Sequence, residues 1–291
     1  MTDVKQLPKE FLAEMKLLLG DEYHRYLKSF KEGWKPGLRV NTQKLEPGQL
    51  RAMVPWELEP VPWTGNGFYY SSEAGDEGGV RPSKHPAYYC GLYYLQEPSA
   101  MTPAAMLPVK PGDRVLDLCA APGGKAIHLA ELLRGTGHVE ARDLTDYKVS
   151  LIQDNINRSG LSNIEAVRMD ARCLDEASVG RADIVVADLP CSGLGVLGKK
   201  PDLKYKMTLE KQKELIRLQR EILSVVKEYV RPNGRLIYST CTIHRGENED
   251  NAAWFTRENQ EFCLVRHKQI IPGTDGGDGF YIAVFKRICE A

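Results

Sequence analysis

The chain reads as an α/β protein, a parallel sheet with helices on both faces, preceded by a smaller α+β unit. Three observations predict this. From Asp113 onward, short apolar runs alternate with amphipathic stretches, the pattern of parallel strands joined by helices. A glycine-containing turn follows the first of those runs directly. Before Asp113 the chain has a different character, with two amphipathic helices and then a stretch rich in Pro, Gly and Trp.

Taken in order, residues 8 to 32 read as two helices. Phe11, Met15, Leu18 and Leu19 share one face, as do Tyr23, Tyr26, Leu27 and Phe30, and Gly20 breaks the run between them. Pro36 to about Gly79 reads as a small α+β unit, with Leu38-Arg39-Val40-Asn41 extended and Gly75 to Gly79 a mobile polar loop. Val115 to Leu118 is the first strand of the main sheet, and its helix runs to about Leu133. Further strands are expected at His138 to Ala141, Ile164 to Val167 and Asp183 to Ala187, with a helix over Asp146 to Arg158. A long helix from Thr208 to Val230 places Leu215, Leu218, Ile222, Val225 and Tyr229 on one face. Pro232-Asn233-Gly234 turns the chain into a fifth strand, Leu236 to Tyr238. The helix Glu247 to Glu258 follows, and antiparallel strands near Glu261 to Arg266 and Gly279 to Lys286 close the sheet. The organisation is a helical segment over residues 1–35, a small α+β unit over 36–100 and a Rossmann-like domain over 101–291.

Composition narrows the class. A chain of 291 residues has room for one large domain and a smaller one, and 42% apolar with 27% charged residues supports a soluble core. No apolar stretch is long enough to span a bilayer, and the first residues lack the basic start and apolar core of a signal peptide. Seven cysteines without a Cys-x-x-Cys pair argue against a disulfide framework or a zinc ribbon, so a reducing, cytoplasmic setting is the simplest reading. Net charge is zero, so any nucleic-acid site must be a local basic patch.

The turn after the first strand is Asp117-Leu118-Cys119-Ala120-Ala121-Pro122-Gly123-Gly124-Lys125. Its glycines let backbone approach a ligand at a helix N-terminus. Asp143 ends the second strand, where a carboxylate usually grips ribose hydroxyls, and Asp170 closes the third in a position to hold an adenine edge. The turn is neither Gly-x-Gly-x-x-Gly nor a Walker loop, which points away from NAD and ATP. S-adenosylmethionine, with a ribose and an adenine but no phosphates, suits a short loop and two acids. Cys119 is expected to contribute only backbone.

Cys191, in Asp188-Leu189-Pro190-Cys191-Ser192-Gly193, and Cys241, in Ser239-Thr240-Cys241-Thr242, each lie just past a strand. An isolated cysteine is ordinarily an inert packing residue, and Cys90, Cys173, Cys263 and Cys289 read that way. Two thiols delivered to the carboxyl edge of one sheet stand apart, because ligands gather there. Amine-directed methyltransferases carry an aromatic residue where Cys191 stands. Carbon 5 of a pyrimidine is a poor nucleophile until a thiolate adds to carbon 6, so a thiol suits carbon chemistry. A second acid/base group then assists release, and Asp188 is placed to hydrogen-bond a cytosine that has left its stack. Cys241 and His244 have one possible metal spacing but no matching second pair, so no metal is expected.

On these residues the chain resembles the Sun (Nop/Sun) family of RNA cytosine carbon-5 methyltransferases. The match runs from Leu38-Arg39-Val40-Asn41-Thr42 through Gln96-Glu97-Pro98-Ser99-Ala100-Met101 to Gly279-Phe280-Tyr281-Ile282-Ala283. Its most specific pieces are Asp117 to Lys125, Asp188 to Gly193, and Ser239 to Thr242 with Glu247-Asn248. The resemblance implies Cys241 as the nucleophile, Cys191 as the thiol that helps release product, and Asp188 as the cytosine contact. It implies a cofactor set of Cys119, Ala120, Ala121, Pro122, Gly123, Gly124, Lys125, Asp143, Asp170 and Asp188. The region from Leu38 to Gly79 is similar to the family's small RNA-binding unit, and the bacterial relatives of closest wording modify small-subunit ribosomal RNA. Lys199, Lys200 and Lys204, with Tyr205, resemble the family's basic segment and would grip phosphates.

Two features depart from the family pattern. Leu189 replaces the common Ala or Pro, and many bacterial members continue into a further RNA-binding domain beyond the point matching Ala291. A transfer RNA substrate, or a non-catalytic role in ribosome assembly, are the alternatives; retention of both thiols and both acids argues against the second. A DNA enzyme would use the Pro-Cys thiol as nucleophile and lack the Thr-Cys one.

Overall fold

The computed structural model describes residues 7–32, 35–71, 80–200, 202–273 and 276–288, so the polar loop expected at Gly75 to Gly79 lies outside the described residues. The chain begins with α1 (Lys9–Leu19) and α2 (Tyr23–Glu32), separated by a short turn at Gly20. The small unit follows as β1 (Gly37–Val40), α3 (Pro47–Met53), β2 (Glu59–Pro60), β3 (Gly67–Tyr69), α4 (Pro86–Tyr89) and β4 (Tyr93–Leu95). Its strands form an antiparallel sheet in the order β2-β3-β1-β4, packed on Leu38, Val40, Leu50, Phe68 and Tyr93.

After α5 (Thr102–Ala105) come β5 (Arg114–Leu118), α6 (Gly124–Leu132), β6 (His138–Asp143), α7 (Asp146–Ser159), β7 (Ile164–Arg168) and β8 (Ala182–Asp188). The chain continues through α8 (Leu203–Lys206), α9 (Leu209–Val226), β9 (Val230–Thr240), α10 (Glu249–Glu258), β10 (Phe262–Ile270) and β11 (Phe280–Arg287). The seven strands lie in the order β10-β11-β9-β8-β5-β6-β7. β9, β8, β5, β6 and β7 are parallel, and β11 and β10 join antiparallel at one edge.

The continuous apolar strands are explained by burial on both faces. Alternate residues sort to opposite layers. Val115, Ile184, Val186 and Ile237 pack against α6 and α7 through Ile127, Ala130 and Ile152. Leu116, Val185, Ala187, Leu236 and Tyr238 pack against α9 and α10 through Leu223, Val226 and Phe255. The strand order reverses between β5 and β8, which opens a crevice at their carboxyl ends.

Four elements differ from the sequence expectation. The long helix ends at Val226, and Pro232-Asn233-Gly234, expected as a turn, lies inside β9, where Asn233 takes a left-handed φ of 64° and the pairing with β8 shifts register. The buried face of α9 is Gln212, Gln219, Ile222, Leu223 and Val226, whereas Leu215, Leu218 and Val225 are half-buried. Apolar periodicity missed Gln219, which is turned inward to satisfy the Pro190 carbonyl beyond β8 and the Glu247 carboxylate beyond β9. The helix expected from Glu247 starts at Glu249, because Arg245–Glu247 forms a separate turn that buries Glu247. β10 runs on to Ile270; its Arg266-His267-Lys268 stretch is exposed and polar, yet pairs fully with β11.

The N-terminal helices are tied to the crevice. Phe11, Met15, Leu19, Tyr26 and Phe30 share one apolar cluster with Leu194, Leu197 and Ile243, from the loops beyond β8 and β9. Among the described residues no helix is long and apolar enough to cross a membrane.

Candidate active site

The loop between β5 and α6 is shaped by its backbone. Cys119 and Gly123 both hold left-handed conformations, with φ of 64° and 104°, and the second is strained for any residue but glycine. The Gly123 N–H donates to the Ala120 carbonyl at 2.7 Å, and the Ala120 N–H to the Arg142 carbonyl at 2.9 Å. Burial, with Asp143 and Asp117 adding to it, pushes the Cys119 thiol up to about 12. It therefore stays neutral, in keeping with a backbone role.

The small unit braces this loop from behind. Arg39 of β1 is fully buried and donates to both oxygens of Glu131 in α6, at 3.1 and 3.0 Å, and to the Gly124 carbonyl at 3.1 Å. It also donates to Gln96. Nearby, Asn41 and Lys44 donate to the last carbonyls of α7, at Ser159 (3.0 Å) and Arg158 (3.3 Å). The extended run Leu38 to Asn41 thus joins the small unit to the two helices that flank the loop.

The acids beyond the strands differ in environment. Asp143 is buried; its carboxylate accepts from the Ala121 N–H at 2.9 Å, the Leu144 N–H at 2.7 Å and Lys148 at 3.0 Å. Each oxygen carries further lone pairs, so the ties to the loop leave capacity for hydroxyls. Asp170 lies two residues past the end of β7, and the Arg172 fork holds both its oxygens, lowering its pKa. Asp117, inside β5, is fully buried, and neither carboxylate oxygen has a hydrogen bond of normal geometry. Burial pushes it up to about 8, against the pull of Lys125 and the weak approach of the Ala126 N–H, and with Asp188 and Asp143 adding to the rise.

Lys125, expected in the cofactor set, points toward the end of β8. Its ammonium donates to Asp188 at 2.6 Å and lies 5.4 Å from the Phe280 ring centre. Burial works against that charge, but Asp188 and Asp117 outweigh it and its pKa is raised. Asp188 also accepts from the Ser239 hydroxyl at 2.6 Å.

The two thiols meet. The sulfurs of Cys191 and Cys241 are 3.1 Å apart, and the Cys241 N–H donates to the Cys191 sulfur at 3.2 Å. Parallel pairing of Asp188 with Ser239 places them side by side. The hydrogen bond from Cys191 lowers the Cys241 pKa and Lys125 assists, against burial and Asp188. The same hydrogen bond, burial, and the charges of Cys241 and Glu247 raise Cys191. The pair is thereby polarised toward a thiolate at Cys241, the thiolate being the nucleophilic form.

The surrounding loops are tightly packed. Ser192 and Thr242 hydroxyls meet at 2.8 Å, and the Gly195 N–H donates to the Cys241 carbonyl at 3.1 Å. A Cβ at Gly195 would fall 2.0 Å from the Gly279 carbonyl oxygen. In the lysine segment, Lys199 is half-buried and pairs with Asp278 at 2.7 Å, which ties the loop to the turn before β11. Lys200 is exposed, and the Lys204 side chain lies outside the described residues.

Sequence reading missed Asp117, Arg39, Gln219 and Glu247 as parts of the site. An acid inside the apolar run Val115 to Leu118, and an arginine inside Leu38 to Val40, were the available signals. A buried charge there demands a partner or a purpose.

A parallel sheet of this order, with a glycine turn after its first strand and acids beyond the next two, defines the class: an S-adenosylmethionine-dependent methyltransferase fold. The orphaned Asp117 carboxyl, the α6 N-terminus and Asp143 fit that cofactor. A solved methyltransferase homologue from Pyrococcus horikoshii superposes with a TM-score of 0.85 at 26% identity, covering 97% of this chain and 96% of its own. The chain belongs to the family described as 16S rRNA methyltransferase RsmB/F, whose family model matches residues 104–286, and residues 7–98 match the N-terminal domain of 16S rRNA methyltransferase RsmF. Ribosomal RNA small subunit methyltransferase F of Enterobacter sp. (strain 638) is 33% identical over 258 residues, 86% of this chain and 53% of that protein. The Cronobacter sakazakii protein of the same name is 31% identical over 98% of this chain and 61% of its own length. The chain thus spans little more than half the length of these curated relatives.

Proposed function

We propose that this chain transfers a methyl group from S-adenosylmethionine to carbon 5 of a cytosine in RNA, with small-subunit ribosomal RNA as substrate, acting in the cytoplasm. The observation that carries this is the thiol pair: two cysteines 3.1 Å apart at the carboxyl ends of adjacent parallel strands, with Asp188 and Lys125 beside them. The RsmB/F family and the names of the relatives support ribosomal RNA as the substrate class.

When bound, the cofactor supplies an electrophilic methyl group. Cys241 adds to carbon 6, forming the sulfur–carbon bond and making carbon 5 electron-rich. Asp188, held by Ser239 and Lys125, accepts a hydrogen bond from the cytosine amino group and steadies the adduct. Once carbon 5 carries the methyl group, its proton leaves. That C–H electron pair re-forms the 5,6 double bond, and the sulfur–carbon pair returns to Cys241. Cys191 is placed to take part in that proton movement. Cys119 to Lys125, Asp143, Asp170 and Asp188 hold the cofactor in this reading, with Lys125 shared with the cytosine side. Residues 36–100 dock RNA, residues 101–291 carry the chemistry, and Lys199, Lys200 and Lys204 meet phosphates.

Incubation with labelled cofactor, 16S transcript or bulk transfer RNA, and nucleoside analysis tests the assignment. Cys241→Ala is expected to abolish 5-methylcytosine while still binding cofactor. Cys191→Ala is expected to accumulate a covalent protein–RNA adduct on a denaturing gel. Full methylation by the Cys241 variant sinks the mechanism, and label only in transfer RNA moves the substrate.

A further inference from the structure

We propose that the exposed flank of β10 is a phosphate track, on which Arg266 and Lys268 hold the RNA backbone beside the nucleotide being modified. The inference deepens the reading of RNA as substrate and rests on it.

β10 is the last strand of the sheet, with β11 on one side and, among the described residues, no strand on the other. Its residues 264–268 are exposed. Charge on an edge strand blocks pairing with another chain, and either sign serves that purpose. Here the sign is uniform. The chain is balanced at 39 basic and 39 acidic residues, yet residues 262–273 and 279–288 hold Arg266, Lys268, Lys286 and Arg287 and no acid. Arg287 donates to the Val230 carbonyl and covers the Phe262 ring, and Lys286 is half-buried. Arg266 and Lys268 are the pair presented to solvent.

Strand pairing decides where these two point. Arg266 lies opposite Val284 and Lys268 opposite Ile282, and both partners belong to the layer under α6 and α7. Opposed residues share a face, so Arg266 and Lys268 stand on that side of the sheet. His267, between them, lies on the other side, with its ring 6.1 Å from that of Tyr281. The small unit packs on the same side as the two cations, through Arg39 and α6. Its Trp63 meets the track, the Lys268 ammonium lying 5.9 Å from the ring centre. Trp63 is itself fixed: its indole N–H donates to the Pro98 carbonyl at 2.9 Å, and its ring stands edge-on to Tyr69 at 6.5 Å. Lys35 extends the line, 5.6 Å from the Tyr69 ring centre, with Glu59 at 4.0 Å offsetting part of its charge. Cations interleaved with aromatic rings suit a nucleic-acid backbone and its bases.

The track also starts at the right place. Tyr281 of β11 lies opposite Gln269 of β10 and Thr240 of β9, and Cys241 follows Thr240. With strands about 4.8 Å apart and residues about 3.3 Å apart along each, the Lys268 backbone is about 12 Å from that of Cys241 and the Arg266 backbone about 16 Å. A cytosine that swings out of its stack to reach the thiols leaves its flanking phosphates at the surface. Long basic side chains at that separation are placed to meet them.

Wild type is first incubated with cofactor and either a 16S transcript or bulk transfer RNA, and 5-methylcytosine is measured. Binding of the methylated RNA is then followed from about 50 to about 200 mM salt. The track variant is Arg266→Glu with Lys268→Glu, which keeps the edge charged against strand pairing but repels phosphate. The control is Lys213→Glu with Arg257→Glu, an equal charge change at exposed positions of α9 and α10, on the opposite layer. The track variant is expected to bind RNA about tenfold more weakly than the control, and its slope of log affinity against log salt to be shallower by about 1.5, the loss of two phosphate contacts. Its KM for RNA is expected to rise while kcat and cofactor affinity hold. Arg266→Thr with Lys268→Thr serves if thermal unfolding shows that the reversed charges impair folding. Equal affinity and equal salt slopes in track and control variants overturn the proposal. Wild type that methylates neither RNA removes instead the reading on which it rests.

Discussion

Replacing Asp117 with asparagine changes how stability depends on pH, by an amount the structure sets. The carboxyl is fully buried without a normal hydrogen bond, and burial raises its pKa from 3.8 to about 8. The native state therefore keeps a proton that the unfolded chain releases above about pH 4. Where the native state binds more protons, stability falls as pH rises. Its contribution is undiminished at acid pH, drains away from the ordinary carboxyl value upward, and stops changing near pH 8. The gap between those two values corresponds to about 6 kcal/mol, at about 1.36 kcal/mol per pH unit. That figure is an upper limit, because local relaxation and water reduce the desolvation of a real buried group. Urea unfolding of ligand-free wild type and Asp117→Asn at each pH from 5 to 9 measures it. Every other titrating group is common to both proteins, so the difference curve isolates Asp117. The Asp117→Asn substitution is expected to stabilise by up to about 2 kcal/mol at pH 5 and up to about 5 kcal/mol at pH 8. Parallel curves would refute the reasoning, since they would mean that Asp117 ionises as easily folded as unfolded.

Other outcomes follow from the packing. Arg39→Met leaves the Glu131 carboxylate buried without its cation and is expected to destabilise by about 3–5 kcal/mol in chemical denaturation, with weaker cofactor binding by calorimetry. Gly195→Ala puts a Cβ into the Gly279 carbonyl and displaces the Cys241 loop; methylation is expected to be lost while cofactor affinity is retained, because the cofactor loop lies after β5. Leu223→Ala, in the layer under α9, is expected to cost about 2–5 kcal/mol without changing the pH profile of activity.

Much of the fold was legible because its cause is local. Val115 to Leu118 and Ile184 to Ala187 are apolar runs bounded by turns, and such runs become buried parallel strands when helices alternate with them. The boundaries that moved did so for tertiary reasons. Glu249 rather than Glu247 begins the helix because Glu247 is taken up by Ser192 and Gln219, residues distant in sequence. Leu215 and Leu218 gave way to Gln219 on the buried face of α9 because the loop beyond β8 needed a donor there.

The chain alone determined that two cysteines, Cys191 and Cys241, would each stand just beyond a strand, at the sheet edge where a glycine turn and acids also fall. Strand periodicity and turn chemistry are properties of neighbouring residues, so they survive without a structure. Only the tertiary structure decided that the sulfurs touch, that Lys125 pairs with Asp188, and that Lys199 pairs with Asp278. The ionisation of a thiol depends on charges a few ångströms away, and these come from segments whose meeting no local pattern encodes.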